Sequence, residues 1–87
     1  MTVVQIDDIS RRDSLIHYRR QYTATAVVRH VASDGQSVPI AFTIEQSATE
    51  TPAVSVDIRG PLDYPVIPAT HVLREYILKL DLQGKLP

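Results

Sequence analysis

The chain has 87 residues, with nine Lys and Arg against ten Asp and Glu, and it contains no cysteine. The lack of cysteine excludes disulfides, thiolate nucleophiles and cysteine-ligated metal sites, and a net charge of −1 provides no global field that would attract nucleic acid or acidic membranes. No apolar run approaches the ~20 residues needed to cross a bilayer, and the first residues lack the basic and apolar regions of a secretory signal. We therefore expect a cytoplasmic protein with one domain over residues 1–87.

The first twenty residues leave two interpretations open. Residues 2–6 are β-branched enough for a short edge strand, which we expect to pair with the start of a long following strand. Residues 8–20 fit either a ragged helix or the beginning of that long strand, and the poor helical periodicity favours the strand. In the strand, one face would carry Ile16, Tyr18, Tyr22, Ala24, Ala26 and Val28.

Two β-rich runs, residues 21–31 and 38–46, flank the turn residues 33–35 and predict a β-hairpin. A two-residue loop would place Arg29 on the apolar face. A three-residue loop with Gly35 in a left-handed conformation avoids this, so we predict that register. It pairs His30 with Val38, Val28 with Ile40, Ala26 with Phe42 and Ala24 with Ile44. The inward side chains of the second run are then Val38, Ile40, Phe42 and Ile44.

The next segment predicts a third hairpin strand and a loop. Residues 53–59 alternate again, and the short connection 47–52 makes them an antiparallel neighbour of the preceding strand. The proline-containing segment 60–68 is interpreted as a stiff loop that carries the chain onto the sheet face. Both isomers of the Tyr64–Pro65 bond remain open.

A C-terminal helix is predicted over residues 68–83. Pro68 suits its first position, and Gly84 is placed as a left-handed cap. An apolar stripe at helical spacing must cover the sheet, and it consists of Ala69, Val72, Leu73, Tyr76, Ile77 and Leu80. The elements together predict an α+β domain, with a three- or four-stranded antiparallel meander and one C-terminal helix packed on one face.

No motif indicates catalysis or metal binding. His17, His30 and His71 share no metal-ligand spacing, and the chain has neither a Gly-rich phosphate loop nor a nucleophile elbow. We expect no enzymatic activity, no cofactor and no metal. A small hydrolytic or metal-dependent enzyme is the second alternative.

Arginine provides the first alternative, which is an anion- or nucleic-acid-binding domain. The N-terminal half contains five arginines and no lysine, and the guanidinium fork matches phosphate and carboxylate. Interspersed aspartates and an outward sheet face without aromatics disfavour nucleic acid. In the predicted register, Arg29 and Arg59 flank Pro39 on the outward face and form a candidate anion site, with Asp57 diagonal to them.

The outer face of the helix is the candidate interface. His71, Glu75, Leu78 and Leu82 recur at spacings of four, three and four, so they share a face opposite the inner stripe. Two aligned leucines on a chain with a small core favour association about a two-fold axis, and the flat outward sheet face is the second candidate surface. We therefore interpret the chain as a non-enzymatic protein-interaction or regulatory module of unknown partner, with a homodimer as its expected assembly.

Overall fold

The computed structural model describes residues 1–12, 18–29, 35–48 and 51–87. Its elements are β1 (Thr2–Arg12), β2 (Arg19–Arg29), β3 (Gln36–Glu45), β4 (Ala53–Ile58) and α1 (Val66–Leu82). The strands form one antiparallel sheet in sequential order, and α1 packs on one of its faces. The predicted α+β meander with a C-terminal helix is confirmed, with four strands in the described residues. The described helix is not long and apolar enough to span a membrane.

The inward faces of β2, β3 and β4 are the predicted ones. The sheet residues with inward parity are largely buried, and they pack with three fully covered helix residues, Ala69, Leu73 and Ile77. The buried sheet side chains are Tyr22, Ala24, Ala26, Val28, Val38, Ile40, Phe42, Ile44 and Val54, joined by Val3 from β1. The described core contains no buried polar or charged residue, so its stabilisation comes from apolar burial.

The predicted register between β2 and β3 is wrong. Phe42 lies opposite Tyr22, not Ala26, which is a displacement of four residues along β2. An even displacement keeps each side chain on its face, which explains why the predicted burial is nevertheless correct. The observed register brings the Tyr22 and Phe42 rings together, with centroids 4.9 Å apart and planes at 17°.

A longer connection permits this register. Residues 30–35 join β2 to β3, where the sequence predicts a three-residue loop. Gly35 has the expected positive φ, 108°. His30 and the other predicted turn residues, 33 and 34, lie outside the described residues.

Strand β1 is longer than predicted and is paired in the opposite sense. Its first residue, Thr2, lies opposite Arg29 at the end of β2, and Arg12 lies opposite Gln21 near the beginning. The expectation that residues 2–6 pair with the start of the long strand is therefore wrong. An antiparallel neighbour joined by a short connection must pair its own end, not its beginning, with the start of the next strand.

Two bulges explain why β1 lacks the alternation of a regular strand. The register shifts between Val3 and Gln5 and again between Asp7 and Ser10, and Asp8 in the second bulge has φ 54°, a conformation that aspartate tolerates. Each bulge adds one residue, so residues at a spacing of three reach the same side. Val3, Ile6 and Ile9 accordingly all pack against the core.

The structure also settles part of the segment left open between helix and strand. Residues 8–12 belong to β1, and residues 13–17, which include the predicted His17, lie outside the described residues. Tyr18, expected on the inward face of the long strand, lies in a turn and is 56% exposed. The long strand therefore begins at Arg19.

Helix α1 begins two residues earlier than predicted, at Val66. Pro68 is still in the first turn, where backbone amides have no partner within the helix, so it does not interrupt the helix. At the other end Gly84 has φ 67°, its amide donates to the carbonyl of Asp81 (3.1 Å), and the Lys85 amide donates to the carbonyl of Leu80 (3.0 Å). This Schellman arrangement confirms the predicted cap.

The loop between β4 and α1 is held against the sheet by Gln36. Its side-chain amide donates to the Pro61 carbonyl (3.0 Å), and its side-chain oxygen accepts from the Asp63 amide (3.1 Å). The Tyr64–Pro65 bond is trans. The predicted role of this segment, to carry the chain from the sheet edge onto the face, matches the course of the loop.

Candidate functional site

A groove lies between the beginning of β1 and α1, and we call it the β1–α1 groove. It has a volume of about 500 Å³. Most of its lining side chains are apolar, and the complete lining is Met1, Thr2, Val3, Val72, Glu75, Tyr76, Leu78, Lys79 and Leu82. The groove forms because β1 is an edge strand and α1 is the only described element that lies beside this part of its inner face.

Three of the four residues predicted as the interface line this groove. They are Glu75, Leu78 and Leu82. His71 lies on the same helix and is exposed, but it does not line the groove. Leu82, in the last helical turn, is 73% exposed, whereas Leu78 is partly buried against the core. The groove thus has an apolar side chain that projects from its rim beside an apolar hollow.

Sequence reasoning missed the rest of the groove. Val72 and Tyr76 were assigned to the stripe that covers the sheet, and they do pack on the core while also lining the groove. The β1 residues Met1, Thr2 and Val3 were not connected with the helix at all. Only the pairing of β1 with the far end of β2 brings them beside α1, and the bulged strand carries no clear signal of that pairing.

A second cavity, which we call the open-face cavity, lies on the sheet face away from α1. It has a volume of about 330 Å³, and its lining residues are Arg12, Gln21, Tyr22, Thr23, Ala41, Thr43 and Arg59. The Tyr22 side chain is buried in the core. The lining residues of β2 and β3 apart from Tyr22 occupy outward strand positions. Gln21 lies opposite Thr43, and Thr23 opposite Ala41.

The structure does not bring together the predicted pair Arg29 and Arg59. Thr25, not Arg29, lies opposite Pro39, because the register differs by four residues, and Arg29 is exposed at the end of β2. Arg59 is beside Pro39 as expected, since its amide donates to the Pro39 carbonyl (2.8 Å). The second arginine of the open-face cavity is Arg12 from the opposite edge strand, which sequence reasoning did not select.

Arg59 is held by the aspartate that we expected near it. Its Nε donates to Asp57 Oδ2 at 2.7 Å. Both side chains are largely exposed, so this ion pair contributes little to stability and acts mainly on the orientation of the guanidinium group. No carboxylate within the described part of the chain lies at ion-pair distance from Arg12.

Two other arginines are used structurally. Arg19 pairs with Glu45 across β2 and β3, and Arg20 donates to Asp81 at 2.9 Å, which links β2 to the end of α1. Burial lowers the pKa of the Arg20 guanidinium, but the hydrogen bond and charge of Asp81, with the nearby Tyr22, outweigh it and raise the pKa above its ordinary value. Arg20 therefore remains charged and unavailable to a ligand.

The histidines give no assembled centre in the described residues. His71 is exposed on α1, and His17 and His30 lie outside the described part. Within residues 1–12, 18–29, 35–48 and 51–87, no group of three His, Cys, Asp or Glu side chains is placed to hold a metal ion.

Comparison with known proteins identifies the family. The sequence model of the BB_0187 family matches residues 1–82, and the chain therefore belongs to this family. No curated protein and no solved structure matches the chain. The matched residues include all five described elements and the linings of both the β1–α1 groove and the open-face cavity.

Proposed function

We propose that this family member is a non-enzymatic protein-interaction or regulatory module that acts as a homodimer through the β1–α1 groove. The observation that carries the proposal is the exposed Leu82 beside an apolar hollow of about 500 Å³. The proposal includes a cytoplasmic location, with which a chain without cysteine is compatible.

Two-fold symmetry gives this surface a natural occupant, a second copy of the chain. In an isologous interface the same patch contacts itself, so a projecting side chain and a hollow must both belong to one surface. Leu82 and the hollow beside it meet that requirement. Burial of apolar surface between two copies would add stabilisation that a chain of 87 residues cannot obtain from its own small core.

The charges along α1 support an antiparallel arrangement of the two helices. Glu75 and Lys79 both line the groove and lie one helical turn apart. If the two-fold axis passes α1 level with residue 77, Glu75 faces the partner's Lys79, and Leu82 faces the partner's Val72. Each copy then supplies both signs of charge, and the pairing is electrostatically self-complementary.

The experiment is a measurement of molar mass in solution by light scattering, across protein concentrations. We expect a wild-type dimer and a Leu82→Glu monomer, because a carboxylate at this position would be desolvated in the interface. The matched control is Ile67→Glu, which changes an 85%-exposed apolar residue of the same helix that does not line the groove. This control should remain dimeric.

Charge exchange provides an independent test of the same arrangement. Glu75→Lys and Lys79→Glu should each weaken the dimer, and the double variant, which restores opposite charges across the two-fold axis, should regain most of the affinity. A wild-type protein that is monomeric at high micromolar concentration contradicts the proposal. A Leu82→Glu protein that remains dimeric places the interface elsewhere.

A further inference from the structure

We propose that the open-face cavity binds a phosphate group, either as inorganic phosphate or as a small phosphate ester. Two arginines reach it from opposite edges of the sheet, Arg12 at the end of β1 and Arg59 just after β4. Both line a cavity whose floor is formed by the central strands β2 and β3. Their side chains must therefore extend over the open face toward each other.

The hydrogen-bonding state of the two arginines leaves donors for a ligand. Arg12 has no ion pair among the described residues, and Arg59 uses Nε for its bond to Asp57. The structure describes no acceptor for the two terminal nitrogens of Arg59. Asp57 thus orients one guanidinium group while its fork remains available, which is the geometry that arginine uses for bidentate recognition of oxyanions.

The floor of the cavity adds neutral hydrogen-bonding groups and space. Gln21, Thr23 and Thr43 provide an amide and two hydroxyls, and Ala41 between them has only a methyl group. The cavity contains two positive side chains, and the single negative charge of Asp57 lies beside one of them. It is therefore locally positive on a chain whose net charge is −1.

The shape of phosphate suits this arrangement better than that of carboxylate. A carboxylate is planar, and one guanidinium fork satisfies both of its oxygens. A phosphate group directs its oxygens tetrahedrally, so two guanidinium groups on opposite sides and a hydroxyl floor can all reach it. The cavity volume of about 330 Å³ is at the lower end of small-molecule sites, which indicates a small ligand rather than a polymer.

The test is a titration of the full chain followed by backbone amide shifts, with inorganic phosphate, glycerol phosphate and acetate in separate arms at constant ionic strength. We expect saturable shifts at residues 23, 41 and 43 with phosphate, and weaker binding of acetate. Tighter binding of glycerol phosphate than of inorganic phosphate would identify an ester as the natural source, and the reverse order would identify the free ion.

A pair of matched variants separates a built site from general charge. Arg12→Gln should weaken phosphate binding by about tenfold, the value typical of one charge-assisted hydrogen-bonding group. Arg29→Gln removes the same charge from the exposed end of β2, away from the cavity, and should leave the affinity unchanged. Both residues are exposed, and thermal unfolding of each variant verifies that it is folded.

Three results would overturn the inference. They are an absence of saturable shifts at millimolar phosphate, equal losses of affinity in Arg12→Gln and Arg29→Gln, and acetate binding as tight as phosphate binding. The β1–α1 groove shares no lining residue with this cavity. Leu82→Glu should therefore leave phosphate binding intact, whether or not the proposed dimer forms.

Discussion

The contact between Tyr22 and Phe42 allows the observed register to be tested directly. Both side chains are buried, and their rings stack with centroids 4.9 Å apart. Stacked aromatic pairs contribute about 0.5–1.5 kcal/mol beyond their area burial. We therefore expect a coupling energy of that size in a double-mutant cycle of Tyr22→Leu and Phe42→Leu, measured from free energies of unfolding in urea.

The cycle is needed because the single variants remove more than the stacking. Tyr22→Leu also removes the hydroxyl that donates to the Pro87 carbonyl (3.1 Å) and accepts from Arg20 (3.3 Å). That loss is present in both the single and the double variant and cancels in the coupling energy. Leucine preserves much of the apolar volume, so a domain of this length, with about 4–13 kcal/mol of stability, should tolerate each change.

A control pair and a refuting result complete the design. Phe42→Leu combined with Val28→Ala should be additive, because Val28 lies six residues along β2 from Tyr22, or about 20 Å. A Tyr22–Phe42 coupling indistinguishable from that of the control pair would refute the observed register. The register predicted from the sequence places Phe42 opposite Ala26 and gives no reason for coupling to Tyr22.

Three further predictions concern stability and use the same urea assay. Asp81→Asn should lower the free energy of unfolding by about 1–3 kcal/mol, because it deprives Arg20 of its carboxylate where the two side chains are only 20% and 13% exposed; a loss below about 0.5 kcal/mol would mean a solvated pair. Gly60→Ala should cost about 1–3 kcal/mol, since its Cβ would lie 2.8 Å from the Pro39 ring, and an unchanged stability would contradict that close approach. Gly84→Ala should cost about 1 kcal/mol at φ 67°, whereas Gly84→Asn should cost less; equal costs would show that the left-handed cap is not responsible.

Features that depend on one element at a time could be predicted from the sequence alone. The alternation in β3 and β4 specified which side chains face inward, and the stripe from Ala69 to Leu80 specified the covering face of α1. The cap at Gly84 followed from one residue type at one position. These are properties of a single strand or helix, because side-chain direction follows from the local backbone period.

The way in which the elements meet could be read only from the folded chain. The β2–β3 register depends on a long connection and on the stacking of Tyr22 with Phe42, residues that are distant in sequence. The bulges of β1 erase its alternation, so neither its length nor its pairing was visible. Both candidate sites depend on these pairings: β1 brings Val3 to α1, and Arg12, not Arg29, to the open face. Parity belongs to one strand, whereas register belongs to two strands and the loop that joins them, and a surface cavity requires both.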